Sequence, residues 1–288
     1  MPSLKEVKNR IGSVVSTQQI TKAMKMVAAA KLRKSQDRIL QMRPFAQKMS
    51  AILQNLSASG SDSDAWYAKQ REINKVLLVV VSSDRGLCGS FNSAVIKSAI
   101  RVAQENYNGK DVTILPIGKK VYEFFGKRNQ KMVSDFWSLF QNLTFENVAE
   151  CGDYIMAAFR KGEYDRVEFV YNHFKNVATQ ILMVEQFLPV KPQAATKKGA
   201  GIDYIFQPNQ EEILSGLVPK SLKVQLYKAV LDSNASENGA RMTAMDKASE
   251  NAGELLKELR LTYNRTRQAA ITKEILEIVG GAEALKAG

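Results

Sequence analysis

Residues 240–285 read ARMTAMDKASENAGELLKELRLTYNRTRQAAITKEILEIVGGAEAL. Met245, Ala248, Ala252, Leu255, Leu259, Thr262, Thr266 and Ala269 follow one another at alternating spacings of three and four, the seam of a helix packed against another helix. A matching pattern lies at the other end of the chain: Leu4, Val7, Ile11 and Val14, then Ala28, Leu32, Ile39, Met42, Ala46, Met49, Leu53 and Leu56. The seam positions between them are polar (Gln18, Thr21, Lys25 and Ser35), while Ile20, Met24 and Val27 define a shifted apolar stripe. This predicts one long N-terminal helix whose contact face rotates, with Pro44 bending it or disturbing its hydrogen bonds. The second helix starts near Asn209, and Gly216 and Pro219 predict a kink close to its start. At 1.5 Å per residue the two helices span roughly 75 and 105 Å, and pairing them antiparallel buries both seams.

The chain between them changes grammar. SASGSDSDA, residues 57–65, has linker composition. KVLLVVV, residues 75–81, reads as a central strand, followed by a helix over 93–105, a strand over 111–117, a helix over 119–126, a strand over 166–171 and the apolar-rich 179–188. Strands alternating with helices imply a small α/β domain with a mostly parallel sheet, which the turn-rich KPQAATKKGAGID leaves behind. The expected fold class is therefore α/β: a long antiparallel coiled coil of the N- and C-terminal helices with an inserted Rossmann-like α/β domain. The segments are a coiled-coil helix over 1–57, a linker over 58–74, the α/β domain with its exit loop over 75–208, and a second coiled-coil helix over 209–288.

Composition narrows the function. The chain has 288 residues, a net charge of +12, two cysteines and one histidine. Two cysteines make neither a disulfide framework nor a metal cluster, and one histidine weakens any case for histidine-based catalysis. No apolar run approaches the ~20 residues of a membrane-spanning helix, so any membrane association is peripheral or through partners. Residues 1–56 carry eleven Lys/Arg against two acids, whereas 241–288 carry eight against seven. The charge excess thus sits at the N-terminal end and predicts an acidic partner surface: nucleic acid, anionic lipid or an acidic protein collar.

The loop in VVSSDRGLCGSFNSAV, residues 80–95, stands where α/β proteins often cradle a phosphate. It lacks the Lys-Ser/Thr of a Walker-type loop and the GxGxxG spacing, so a structural turn is favoured over a nucleotide site. In that reading Gly86 and Gly89 allow a tight crossover, and Asn92 or Ser93 caps the next helix. Asp203, Glu211 and Glu212 read as solvated or dipole-complementing acids, and His173 as a surface or hydrogen-bonded residue. No group resembles an acid/base pair, a triad or a metal site, so no catalytic residue, cofactor or metal is expected. The polar seam residues admit two readings. One is register control. The other is that partners cover this stretch, with Met24, Met26 and Val27 facing outward into them.

QQITKAMKMVAAAKLRKSQDR from Gln18, VVSSDRGLCGSFN from Val80, DYIFQP from Asp203 and the quoted C-terminal run resemble, in order and over essentially the whole chain, the gamma subunit of F-type ATP synthases of the bacterial kind. The resemblance implies a non-catalytic rotor in the central stalk of a proton-driven synthase. Its paired helices form a shaft inside a hexamer of alpha and beta subunits, and its protruding end joins epsilon and the membrane c-ring. It also implies that Lys22, Met24 and Lys25 face the acidic lever of beta, that Arg241 and Gln268 contact the hexamer, and that Lys31, Arg33, Asp203, Tyr204 and Phe206 lie toward the foot that meets the ring and epsilon. The dithiol insertion of chloroplast members is absent, and the resemblance begins almost at Met1, which favours the cytoplasmic face of a bacterial inner membrane. The competing classes are a nucleic-acid-binding protein with a basic coiled-coil arm, although no aromatic is interleaved before Phe45, and a nucleotide-dependent enzyme built on the central domain.

Overall fold

The structure, a computed structural model, describes residues 3–58, 66–190 and 210–287. Helix α1 covers Leu4–Ala58 and helix α5 covers Gln210–Ala287. Both run on as helix through their internal prolines, Pro44 and Pro219. Between them lie β1 (Lys75–Val81), α2 (Phe91–Glu105), β2 (Asp111–Ile117), α3 (Lys119–Gly126), a short 3-10 turn, α4 (Phe145–Lys161), β3 (Arg166–Phe174) and β4 (Gln180–Leu188). Helix α4 has no counterpart in the sequence reading, although its signals are in place. The Thr144 hydroxyl accepts from the amide of Asn147 at its start, Gly162 in a left-handed conformation ends it, and Val148, Cys151, Ile155 and Phe159 recur on its buried face.

By packing, the chain forms two compact units, Met1–Val27 with Met242–Gly288, and Ala28–Arg241. In the first, the two terminal helices run antiparallel, and their polar seam residues meet one another. The hydroxyls of Thr21 and Ser249 lie 2.7 Å apart, the Gln18 amide donates to the Ser249 carbonyl at 3.2 Å, and the Lys25 ammonium meets the Asp246 carboxylate at 2.5 Å. The contact face therefore does not rotate, contrary to the sequence reading. Polar residues facing polar residues keep one continuous seam, and the shifted stripe is left outside, with Ile20 59% and Val27 57% exposed.

Each seam hydroxyl has one proton and a second acceptor, since Thr21 can also donate to the Gln18 carbonyl and Ser249 to the Met245 carbonyl. Thr21→Val is accordingly expected to cost about 1 kcal/mol, with Ser249 keeping its backbone bond. Combined with Ser249→Ala, the double variant should lose less than the sum of the two singles, a coupling that a double-mutant cycle of denaturant unfolding reads directly.

In the second unit the sheet order is β2-β1-β3-β4, parallel except for β4. β1 is buried on both faces, which is why it reads as an unbroken apolar run. Val76, Leu78 and Val80 pack under α2 and α3, while Leu77, Val79 and Val81 pack under α4 and under Leu222, Leu226 and Val230 of α5. The rest of α1 joins this unit, burying Ala28 and Leu32 and directing the Ser35 hydroxyl to the Asn234 side chain of α5 at 2.7 Å.

Candidate functional site

The crevice at the carboxyl end of β1, where the strand order reverses, is where an open α/β sheet binds a ligand. Here it is occupied by the chain's own groups. The Ser82 hydroxyl accepts from the amide of Val121, the Ser83 carbonyl from that of Lys120 and the Asp84 carboxylate from that of Lys119. Three amides at the start of α3, the helix that follows β2, are thus engaged within the chain. The loop is also tied internally. The Asn92 side chain accepts from the Ser83 amide at 3.0 Å and contacts the Ser83 hydroxyl and the Cys88 sulfur, so it closes the loop instead of capping α2 as expected. Helix α2 begins at Phe91 with Ser90 at its cap position, and that serine makes no side-chain capping bond.

A second set of interactions lies on α5 from Ala229 to Arg241, where nearly every residue is buried although the sequence is rich in Asp, Ser, Asn and Glu. Several of its polar groups reach other elements of this unit, while Asn238 bonds Asn234 on the same helix and the Ser233 hydroxyl is buried without a hydrogen bond. Asp232 bonds the ring of His173 at 2.7 Å, the Ser236 hydroxyl donates to the Asn172 carbonyl, and Arg241 donates to Glu237 at 2.6 Å and to the carbonyls of Arg85 and Gly86. The single histidine is therefore a structural partner of α5. Burial raises the affinity of the Glu237 carboxyl for its proton, and nearby Asp84 adds to this, against the opposing pull of Arg241 and Lys31.

In the first unit, a groove of about 740 Å³ runs beside the polar seam, with Lys22, Lys25 and Met26 on α1 and Asp246, Gly253 and Glu254 on α5. Lys22 is exposed, Met24 is half-buried, and Met26 and Val27 stand out of the helix at 68% and 57% exposure. Farther along, α5 exposes Ile271, Ile275, Ile278 and Val279 on one side and Gln268 nearby. Among the described residues no three His, Cys, Asp or Glu side chains gather to hold a metal, and no helix is long and apolar enough to cross a membrane.

The chain thus combines two long terminal helices with an inserted α/β sheet. The family model described as ATP synthase matches residues 3–285. The ATP synthase gamma chain of Cytophaga hutchinsonii is 59% identical over 293 residues, covering 99% of each chain, and that of Chlorobaculum tepidum is 47% identical, covering 99% of this chain and 100% of the relative. The chain belongs to the ATP synthase gamma family. Among solved structures, one from the central stalk and c-ring of the Tetrahymena thermophila mitochondrial ATP synthase is 27% identical, with a TM-score of 0.57, over 80% of this chain and 99% of that one. One from the Euglena gracilis mitochondrial enzyme shares the fold at a TM-score of 0.67 and 22% identity, over 99% of this chain and 95% of that one.

Gamma is a non-catalytic central-stalk subunit, and nucleotide chemistry belongs to beta. Within this gamma fold Lys22, Met24 and Lys25 share one stretch of α1, and Lys31 and Arg33 are exposed farther along it. Asp203, Tyr204 and Phe206 lie outside the described residues. Arg241 is mostly buried, with both arms of its guanidinium bound inside the chain. Sequence reasoning missed Glu237 and the backbone of Arg85 and Gly86 as its partners. The available signal was the four-residue spacing of Glu237 and Arg241 on one helix face.

Proposed function

We propose that this chain is the turning shaft of a rotary ATP synthase, held inside a hexamer of alpha and beta subunits and joined at its foot to epsilon and the c-ring. It passes ring rotation to beta and binds no nucleotide of its own. The band of α1 with exposed Lys22, Met26 and Val27 and half-buried Met24 and Lys25 meets the acidic lever of beta, where Lys22 and Lys25, the latter also paired with Asp246, complement its charge and the apolar side chains leave water. Gln268 contacts the hexamer farther along α5, whereas Arg241, whose guanidinium is bound within the chain, acts on the hexamer only through the setting of α5; Lys31, Arg33, Asp203, Tyr204 and Phe206 serve the foot. The complex sits peripherally at the cytoplasmic face of a bacterial inner membrane.

The observation that carries this reading is the apolar stripe Ile271–Ile275–Ile278–Val279, between 49% and 72% exposed along one side of α5. Contiguous exposed apolar surface marks an interaction site. The test is co-expression with the cognate alpha and beta subunits. One copy of this chain per hexamer is expected, with ATP turnover that changes when the last ~20 residues, about five turns, are deleted. A chain that stays apart from alpha and beta, or elutes with nucleic acid in a salt-sensitive way, would overturn the reading.

A further inference from the structure

Arg241 is an unusual residue to bury. Its side chain and that of Glu237 are 12% and 11% exposed, and a buried ion pair is weak evidence for stability, since well-packed apolar residues often serve as well. What apolar residues cannot do is read backbone. One arm of the guanidinium holds the Glu237 carboxylate at 2.6 Å, and the other donates to the carbonyls of Arg85 at 3.1 Å and Gly86 at 3.3 Å. That loop is bound in turn to α2 through Asn92 and to α3 through Asp84. Arg241 is also the last residue of the Ala28–Arg241 unit, so α5 leaves the unit immediately after this contact.

From this convergence we infer that Glu237 and Arg241 form an internal latch, with Arg241 as a positioning residue that fixes the rotational setting of α5 against the α/β domain. The inference rests on the rotor reading, because only a chain that carries torque needs its helix and its domain to turn together. A planar guanidinium suits the role. It spans a carboxylate and two carbonyls at fixed angles, which the point charge of lysine does not. Glu237 holds the fork in place, and its removal leaves a buried cation unpaired, which drives Arg241 out of its seat. Torque then passes through a loosened joint, and ion translocation falls behind ATP hydrolysis.

The test uses the full membrane-bound complex in vesicles, carrying Glu237→Met or Arg241→Lys. For Glu237→Met, ATP hydrolysis is expected to persist while ions translocated per ATP fall about threefold, and exchange of the Ser83 and Lys119 amides, which the loop holds through Asn92 and Asp84, rises about tenfold. Arg241→Lys should lower the same ratio and speed the same amides, whereas a simple charge contact to beta would tolerate lysine. A merely structural role would lower the yield of complex but leave the ratio per assembled particle unchanged. Wild-type ratio and exchange in an assembled Glu237→Met complex overturn the latch. Should neither variant assemble, exchange of the Ser83 and Lys119 amides in the variant chains alone decides the matter, and unchanged rates there overturn it equally. A wild-type chain that fails to join alpha and beta overturns the rotor reading instead.

Discussion

Replacing Gly118 by alanine is expected to cost at least about 3 kcal/mol of folding stability and to leave little soluble chain for assembly. Gly118 joins β2 to α3 with φ of +104°, a backbone region that side chains rarely enter. A Cβ built there stands 2.4 Å from the carbonyl oxygen of Ser82 and 2.8 Å from its hydroxyl oxygen. The nearest obstructing atom is backbone just past the end of the buried strand β1, so it cannot swing aside as the end of a long side chain could. Moving it would also disturb the Ser82 amide bond to Ile117 and the hydroxyl that caps Val121. Denaturant unfolding of wild type and variant measures the loss. A cost below about 1 kcal/mol would mean that the β1 terminus yields more easily than its burial implies.

Polar replacement of the terminal stripe should have the opposite profile. Ile275→Ser, Ile278→Ser and Val279→Ser together are expected to leave the stability of the lone chain within about 0.5 kcal/mol, because these side chains already face water. Their cost appears on assembly. Burying each apolar side chain contributes up to about 1.5–3 kcal/mol, so losing the exposed share of three weakens association by roughly 3 kcal/mol or more, a factor above a hundred. The pair of measurements is unfolding of the isolated chain and titration of the variant against the alpha-beta hexamer. Unchanged association would remove the main support for the hexamer contact. A large loss of stability in the lone chain would mean that the stripe packs within the chain itself.

The parts of the fold visible in the sequence are those with strong periodicity. The three-four spacing from Met245 to Ala269 and the unbroken run of β1 specify a paired helix and a buried parallel strand, because only those structures hide such patterns. The loop at Ser82–Asn92 was readable as a turn from its missing phosphate-binding residues, but its closure was not. Asn92 looks like a helix cap in sequence, and only the folded chain brings it to Ser83 and Cys88. The rotating seam was misread for a related reason. Gln18, Thr21 and Lys25 look unfit for a seam until Ser249 and Asp246 are placed opposite, more than two hundred residues away.

The sequence by itself determined the two long helices, the inserted sheet domain, the family and the absence of a recognisable catalytic constellation. The helices, the sheet domain and the missing constellation follow from local spacing and composition, which act over a few turns of chain, and the family from motifs that resemble it along the whole chain. Tertiary structure alone decided which polar groups are satisfied. Residues 229–241 of α5 look like a solvated stretch, yet they are largely buried, because His173, Asn172, Ser35 and the carbonyls of Arg85 and Gly86 come from other elements to meet them. A buried polar side chain is tolerable only beside its partner, and partners this distant in sequence exist only once the chain has folded.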